Sequence, residues 1–239
     1  MIEKHMMRTR ARHVISDEEE AAIRALVREV TEFPARTTFV HAGERVHHST
    51  MLLDGLMCRY KDLQNGQRQI AELHVAGDFA DLHSFSLKRL DHNVMTLTPC
   101  RVALVPHERL TALTHSHPRL ARIYWFSTNL DAAIHREWVL SLGRRDAVAR
   151  LAHLFCELHT RLALVGLADD RGFRLKLTQA DLAECLGLTP VHINRSLRQL
   201  REAGLMTFRS STVDLHDLEG LRAQAEFDPA FLYLDPVEV

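Results

Sequence analysis

The chain has 239 residues and sets 30 Lys and Arg against 31 Asp and Glu, a formal charge of −1 with its 16 histidines neutral. Such a balance excludes a polybasic arm or an acidic tail, so attraction to a polyanion must come from local clustering. With 46% apolar residues, 10 Gly and 7 Pro, the composition is that of one or two packed domains and excludes a disordered or fibrous chain.

The first expected element is a helix. Ser16 is a candidate cap with Glu19 as capping-box partner, Ile23, Leu26, Val27 and Val30 form one apolar face, and Pro34 closes the segment. From about 36 to 106 the texture changes to short strand-like runs such as TTFVHAG, MLLDGLMCRY, RQIAELHVAG, VMTLT and CRVALV. Gly43, Gly55, Gly66 and Gly77 punctuate these runs at intervals of 12, 11 and 11. That rhythm predicts an antiparallel roll or barrel. Asn65-Gly66 is its strongest hairpin signal, with a type I′ turn expected.

Residues 118–142 contain no Gly or Pro after Pro118 and predict one long helix, broken at Gly143. Leu120, Ile123, Tyr124, Ser127, Leu130, Ile134 and Trp138 follow 3-4 spacing and form the expected seam of a homodimer, with an ordinary core face as the alternative. A second amphipathic helix follows through Val148, Leu151, Leu154, Phe155 and Leu158.

The densest signals lie between 173 and 216. After a strand FRLKL, Thr178 is placed to cap a helix with Asp181 as its capping-box acid. Leu182, Ala183 and Leu186 face inward and Gly187 stops the helix. Thr189-Pro190 starts the next helix, which buries Ile193, Leu197 and Leu200 and ends at Gly204. Two short helices joined through Gly187 make a helix-turn-helix, and LMTF and TVDL around Arg209-Ser210-Ser211 add a two-stranded wing. Between 171 and 209 seven cationic residues face three acidic ones, a local +4 in a chain of −1. This is the footprint of a phosphate-contacting face. Its expected DNA-contacting residues are Thr178, Thr189, Val191, His192, Asn194, Arg195, Arg198, Gln199 and Arg209. Arg195 suits bidentate contact with guanine and Asn194 suits adenine.

LTQADLAECLGLTPVHINRSLRQLREAGL followed by VDLHDLEGL resembles the helix-turn-helix and wing of the CRP/FNR family of bacterial transcription regulators. GDF at 77–79 and TPCRVALVP at 98–106 sit where that family has corresponding strands. The resemblance implies an α+β chain in three parts. A sensor β-roll of the cyclic-nucleotide-binding type with its leading helix spans 1–117, a dimerisation helix and hinge 118–143, and a winged helix-turn-helix with its tail 144–239. It further implies a homodimer on a palindromic site in double-stranded DNA, with RNA polymerase as protein partner, in the cytoplasm. Arg195 falls on the arginine that reads guanine in this family and Arg198 on a backbone-contacting position. Val191 replaces the family's recognition glutamate, so the family's usual operator is not implied.

The sensor departs from the family as well. Asp81-Leu82 stand where the cyclic-nucleotide pocket has Gly-Glu, and Leu90-Asp91 where it has Arg-Ser, so an aspartate faces the phosphate slot. Arg89 lies one position away. The expected effector pocket therefore comprises Asp81, His83, Arg89 and His92, with cAMP not bound in the usual way. The cofactor stays open, heme or a small effector being the possibilities, with His83 and His92 as the ligand candidates. Cys58, Cys100, Cys156 and Cys185 are at least 29 residues apart, which predicts no local zinc or iron–sulfur site and no disulfide framework. The opening MIEKHMMRTR does not read as a secretory leader, and no apolar run reaches membrane-spanning length. GxSxG, GxxxxGK and GxGxxG are absent, and His135-Arg136-Glu137, consecutive on a helix, point in different directions, so an enzyme is not expected. The alternatives to a DNA-binding regulator of undefined signal are a heme- or small-ligand-sensing member of the same family and a ligand-binding module acting through a protein partner. The tail carries Phe227, Phe231, Leu232, Tyr233 and Leu234, with no partner surface indicated.

Overall fold

A computed structural model of the chain describes residues 1–235, so the last four residues of the tail, 236–239, lie outside the described residues. The chain is mixed α and β and divides into two compact units. One is built on Met1–Lys61 and Glu72–Ala133, the other on Ile134–Leu232 together with Asp62–Ala71.

The N-terminal unit opens with a helix that the sequence pattern does not announce, α1 (Glu3–Arg10). α2 (Asp17–Ala25) follows with the full reciprocal capping box: Glu19 N–H donates to Ser16 Oγ and Ser16 N–H to the Glu19 carboxylate. It is shorter than expected. Val30 lies in strand β1 (Glu29–Phe33), paired antiparallel with β7 (Cys100–Pro106) from Glu29↔Leu104 to Phe33↔Cys100. Helical spacing carried on through Val27 and Val30 by coincidence, and sheet pairing decides the conformation of the latter.

β3 (His48–Asp54) flanks β7 on its other side, completing a three-stranded sheet in the order β1-β7-β3. Strands β2 (Thr38–Val40), β6 (Asn93–Thr96), β4 (Met57–Asp62) and β5 (Arg68–His74) form the second sheet in that order. Val40, Val46, Leu52, Met57, Leu90, Val94 and Val102 meet in one apolar cluster of this roll. The Asn65-Gly66 turn differs from expectation. Gly66 has φ +82°, but Asn65 is not left-handed, and the turn closes from Leu63 to Gln67.

After β5 the chain turns at Gly77, which is obligatory. Its φ is +101°, and a Cβ there would sit 2.8 Å from the Lys4 carbonyl of α1. The short α3 (Ser84–Leu87) precedes β6, and α4 (His107–Ser116) follows β7. α5 (Pro118–Arg144) is a single helix of 27 residues that runs through Gly143, where a break was expected. The interruption comes instead at Asp146, whose carboxylate caps α6 (Ala147–Ala163) by accepting from Val148 and Ala149 N–H. One glycine costs a helix about 1 kcal/mol, too little to end it without a competing cap.

The C-terminal unit contains α6 and a four-stranded sheet, β10 (Met206–Arg209), β11 (Thr212–Leu215), β9 (Gly172–Arg174) and β8 (Ala168–Asp169), in that order. β9 is shorter than the strand expected over 173–177. Between β9 and β10 lie α7 (Gln179–Leu186) and α8 (Pro190–Glu202), and α9 (Leu218–Ala225) follows β11. Leu151, Leu154, Phe155 and Leu158 of α6 are all buried. In the tail, Phe227 and Phe231 place their rings 5.1 and 5.8 Å from His153, and Leu232 is buried.

Candidate nucleic-acid interface

The pair α7–α8 is shaped by local chemistry. Thr178 Oγ1 accepts from Asp181 N–H at 3.1 Å and donates to Asp181 Oδ2 at 2.7 Å, while Thr178 N–H donates to the same carboxylate. At the far end Gly187 takes φ +61° as the left-handed cap, and the Leu186 carbonyl accepts from Arg150 of α6 at 2.6 Å. Thr189 Oγ1 then accepts from His192 N–H at 3.3 Å and meets His192 Nδ1 at 3.1 Å, with Pro190 in the first turn of α8.

α8 turns Ile193, Ser196 and Leu200 into the unit and leaves Leu197 half-buried. Thr189, Val191, His192, Asn194, Arg195, Arg198 and Gln199 are all exposed, and so are Thr178 before α7 and Arg209 in the wing. Thus all nine residues expected to meet DNA are at the surface of one unit. Arg198 Nε donates to Glu202 Oε1 at 2.7 Å. The wing is a two-residue hairpin, with Arg209 opposite Thr212 and Ser210 and Ser211 both left-handed at φ +48° and +61°. This is the type I′ geometry expected at Asn65-Gly66, built here without a glycine.

Of the four residues expected to line an effector pocket, the structure brings His83 and His92 together, while Asp81 and Arg89 are bound elsewhere. Asp81 is wholly buried and accepts from Thr50 N–H and Thr50 Oγ1, and burial pushes its carboxyl up to about 7. The His83 and His92 rings lie 5.2 Å apart, and His92 Nδ1 is 3.0 Å from Asp91 Oδ1. Arg89 donates to the Gly43 carbonyl at 2.6 Å, while Asp91 pairs with Lys61 at 2.8 Å. The roll also buries Arg59 of β4, which sequence reasoning missed. It donates to the Ala80 carbonyl (2.6 Å), Glu72 (2.7 Å) and Asp131 of α5 (2.9 Å). Among the described residues no group of three or more His, Cys, Asp or Glu side chains is placed to hold a metal ion.

The expected dimer seam needs correction. Leu120, Ile123, Tyr124, Leu130, Ile134 and Trp138 are buried by the chain itself, and Ser127 is partly buried with its hydroxyl donating to the Ile123 carbonyl. Leu120, Ile123 and Tyr124 belong to the core that includes Met6 of α1 and Ile23 of α2. Trp138 Nε1 donates to Glu157 of α6 at 2.8 Å. The 3-4 stripe is therefore core. The face that α5 leaves open carries Arg122, Trp125, Asn129, Ala132, Arg136 and Val139, again at 3-4 spacing. Trp125 and Val139 are 69% and 71% exposed. A weaker stripe of mixed polarity was masked by the stronger one beside it.

The chain matches two family models, a cyclic nucleotide-binding domain over residues 30–117 and a Crp-like helix-turn-helix domain over residues 149–224. The anaerobic regulatory protein of Haemophilus influenzae is 25% identical over 180 residues, 75% of this chain and 70% of that protein. The fumarate and nitrate reduction regulatory protein of Salmonella typhi is 25% identical over 188 residues, 79% of this chain and 75% of that protein. Among solved structures, FixK2 from Bradyrhizobium japonicum aligns with a TM-score of 0.76 at 24% identity, covering 90% of this chain and all of that one. A CRP/FNR family transcriptional regulator from Thermus thermophilus aligns with a TM-score of 0.66 at 19% identity, covering 83% of this chain and 99% of that one. These likenesses agree on one architecture, a β-roll followed by a long helix and a helix-turn-helix.

Proposed function

We propose that the chain is a DNA-binding transcription regulator of the CRP/FNR type and not an enzyme, and that it works as a homodimer on a two-fold symmetric site in double-stranded DNA. The observation that carries this reading is the outer face of α8. Thr189, His192, Asn194, Arg195, Arg198 and Gln199 are exposed together, while Ile193 and Leu200 are turned inward. In this reading α8 enters the major groove, Arg195 contacts a guanine edge, and Arg198 and Arg209 contact phosphates. Thr178, beside the start of α7, meets the backbone, as the first helix of such a pair does.

The dimer is assigned to the open face of α5, where Trp125, Asn129, Ala132, Arg136 and Val139 repeat at coiled-coil spacing. Residues 1–117 serve as the sensor, 118–143 as the dimer helix and 144–239 as the DNA-binding part, working inside the cell alongside RNA polymerase. No helix among the described residues is long and apolar enough to cross a membrane. The roll is read as a sensor without a cyclic phosphate in the usual place. Asp91 stands there paired with Lys61, and Arg89 is spent on the Gly43 carbonyl.

The test is selection of bound sequences from random duplex DNA with the full chain, alongside its mass by light scattering. A dimer enriching a palindrome with half-sites about one helical turn apart, roughly 34–36 Å, is expected. A dimer that enriches no sequence overturns the DNA reading, and a monomer that enriches a single half-site overturns the dimer.

A further inference from the structure

We propose that Val191 is the residue that selects a thymine, by packing on its methyl group, at one base pair of each half-site. The inference rests on the reading of α8 as the groove helix and adds a base to it. Val191 is 76% exposed and sits in the first turn of α8, among exposed Thr189, His192, Asn194 and Arg195. Residues at the N-terminal end of a recognition helix are those that reach base edges. An isolated surface valine is ordinarily unremarked, but one carried into the groove loses its water and must meet an apolar group. The major-groove edges offer one such group, the C5-methyl of thymine. A carboxylate at the same position would instead accept from the amino group of cytosine. Valine on a helix also holds essentially one rotamer, so its two methyls are presented without further ordering. Beside it, His192 Nδ1 is tied to Thr189 Oγ1 at 3.1 Å.

The register follows from helix geometry. Val191 and Arg195 are four residues apart on one face, about 6 Å along the axis. The thymine therefore lies within about two base steps of the guanine assigned to Arg195.

The experiment takes the palindrome selected by the full-length protein and replaces its thymines one at a time with deoxyuridine, which deletes only the methyl. Wild type and Val191→Ala are compared by titration. At one position per half-site the replacement is expected to weaken wild-type binding about fourfold, the equivalent of one buried methyl. Val191→Ala should be indifferent to the same replacement, and Val191→Glu should shift the selected base there from thymine to cytosine. Because Val191 is exposed, both variants should melt with the wild type, which separates a lost contact from a lost fold. The proposal is overturned if no thymine methyl matters, or if Val191→Ala responds to its removal as the wild type does. If no sequence is selected and Arg195→Ala is without effect, the reading of α8 itself has failed. A selected guanine that depends on Arg195, without a methyl effect, removes only the role of Val191.

Discussion

Arg195 and Arg198 are three residues apart on α8, yet their chemistry differs. Arg198 is held by Glu202 one turn further on, a bond that raises the guanidinium above its ordinary range. Arg195→Ala is expected to cost about 1–3 kcal/mol of binding to the selected site and to relax preference at one base pair, measurable by titration against sites altered there. Arg198→Ala should weaken all duplexes alike and lower the salt slope by about one. Glu202→Gln should do the reverse, tightening binding to selected and unselected DNA and steepening the salt dependence. If it leaves the slope unchanged, Arg198 is not a phosphate ligand. At this scale two capping boxes were legible, since Ser16 with Glu19 and Thr178 with Asp181 each solve an orphan-donor problem within four residues, whereas the Asp146 cap of α6 was not anticipated. Asp81 was not. Its partner is Thr50, 31 positions away, and no local pattern shows a carboxylate sent into the core.

Two stripes run along α5, and only neighbours distant in sequence decide which is core. Leu120, Ile123 and Tyr124 are claimed by α1, α2 and the roll, which leaves Trp125 and Val139 outward. The periodicity therefore placed the helix correctly and the interface wrongly. Trp125→Glu combined with Val139→Glu should give a monomer by sedimentation with unchanged helical content, because neither side chain is packed within the chain. A dimer that survives both changes moves the interface off α5. The hairpins teach the same lesson about local signals. Asn65-Gly66 looked ideal for a type I′ turn, yet that geometry is adopted by Ser210-Ser211, where Arg209 pairs with Thr212 and pins the two-residue loop. Ser211→Gly relieves a left-handed serine and should raise thermal stability by about 1 kcal/mol without altering DNA affinity.

On the scale of the whole chain, three of the buried histidines, His5, His107 and His153, weaken the fold as pH falls. Burial lowers His5 to about 4, and nearby Arg8 adds to the effect while Asp78 opposes it. Burial and neighbouring Lys88, His48 and His47 lower His107 to about 4. Burial, with Arg145 beside it, lowers His153 to about 3. An unfolded histidine titrates near 6.5. Between about pH 6.5 and 4 the unfolded chain therefore binds protons that the folded one refuses, and stability falls as pH is lowered through that window. Asp81 acts with the opposite sign. Its folded pKa, raised to about 7, lies above the unfolded value near 3.9, so its contribution is complete at low pH and is lost as pH rises toward 7. Asp81→Asn removes that term and should gain stability relative to wild type as pH rises from about 4 to 7. His5→Asn is the more selective test. The amide can still donate to the Gly77 carbonyl, which His5 Nδ1 reaches at 2.9 Å, but it cannot take up a proton. Denaturant melts of His5→Asn at pH 7 and pH 5 should therefore differ less than those of the wild type. Equal pH dependence in the two proteins would show that the weakening is set by other groups.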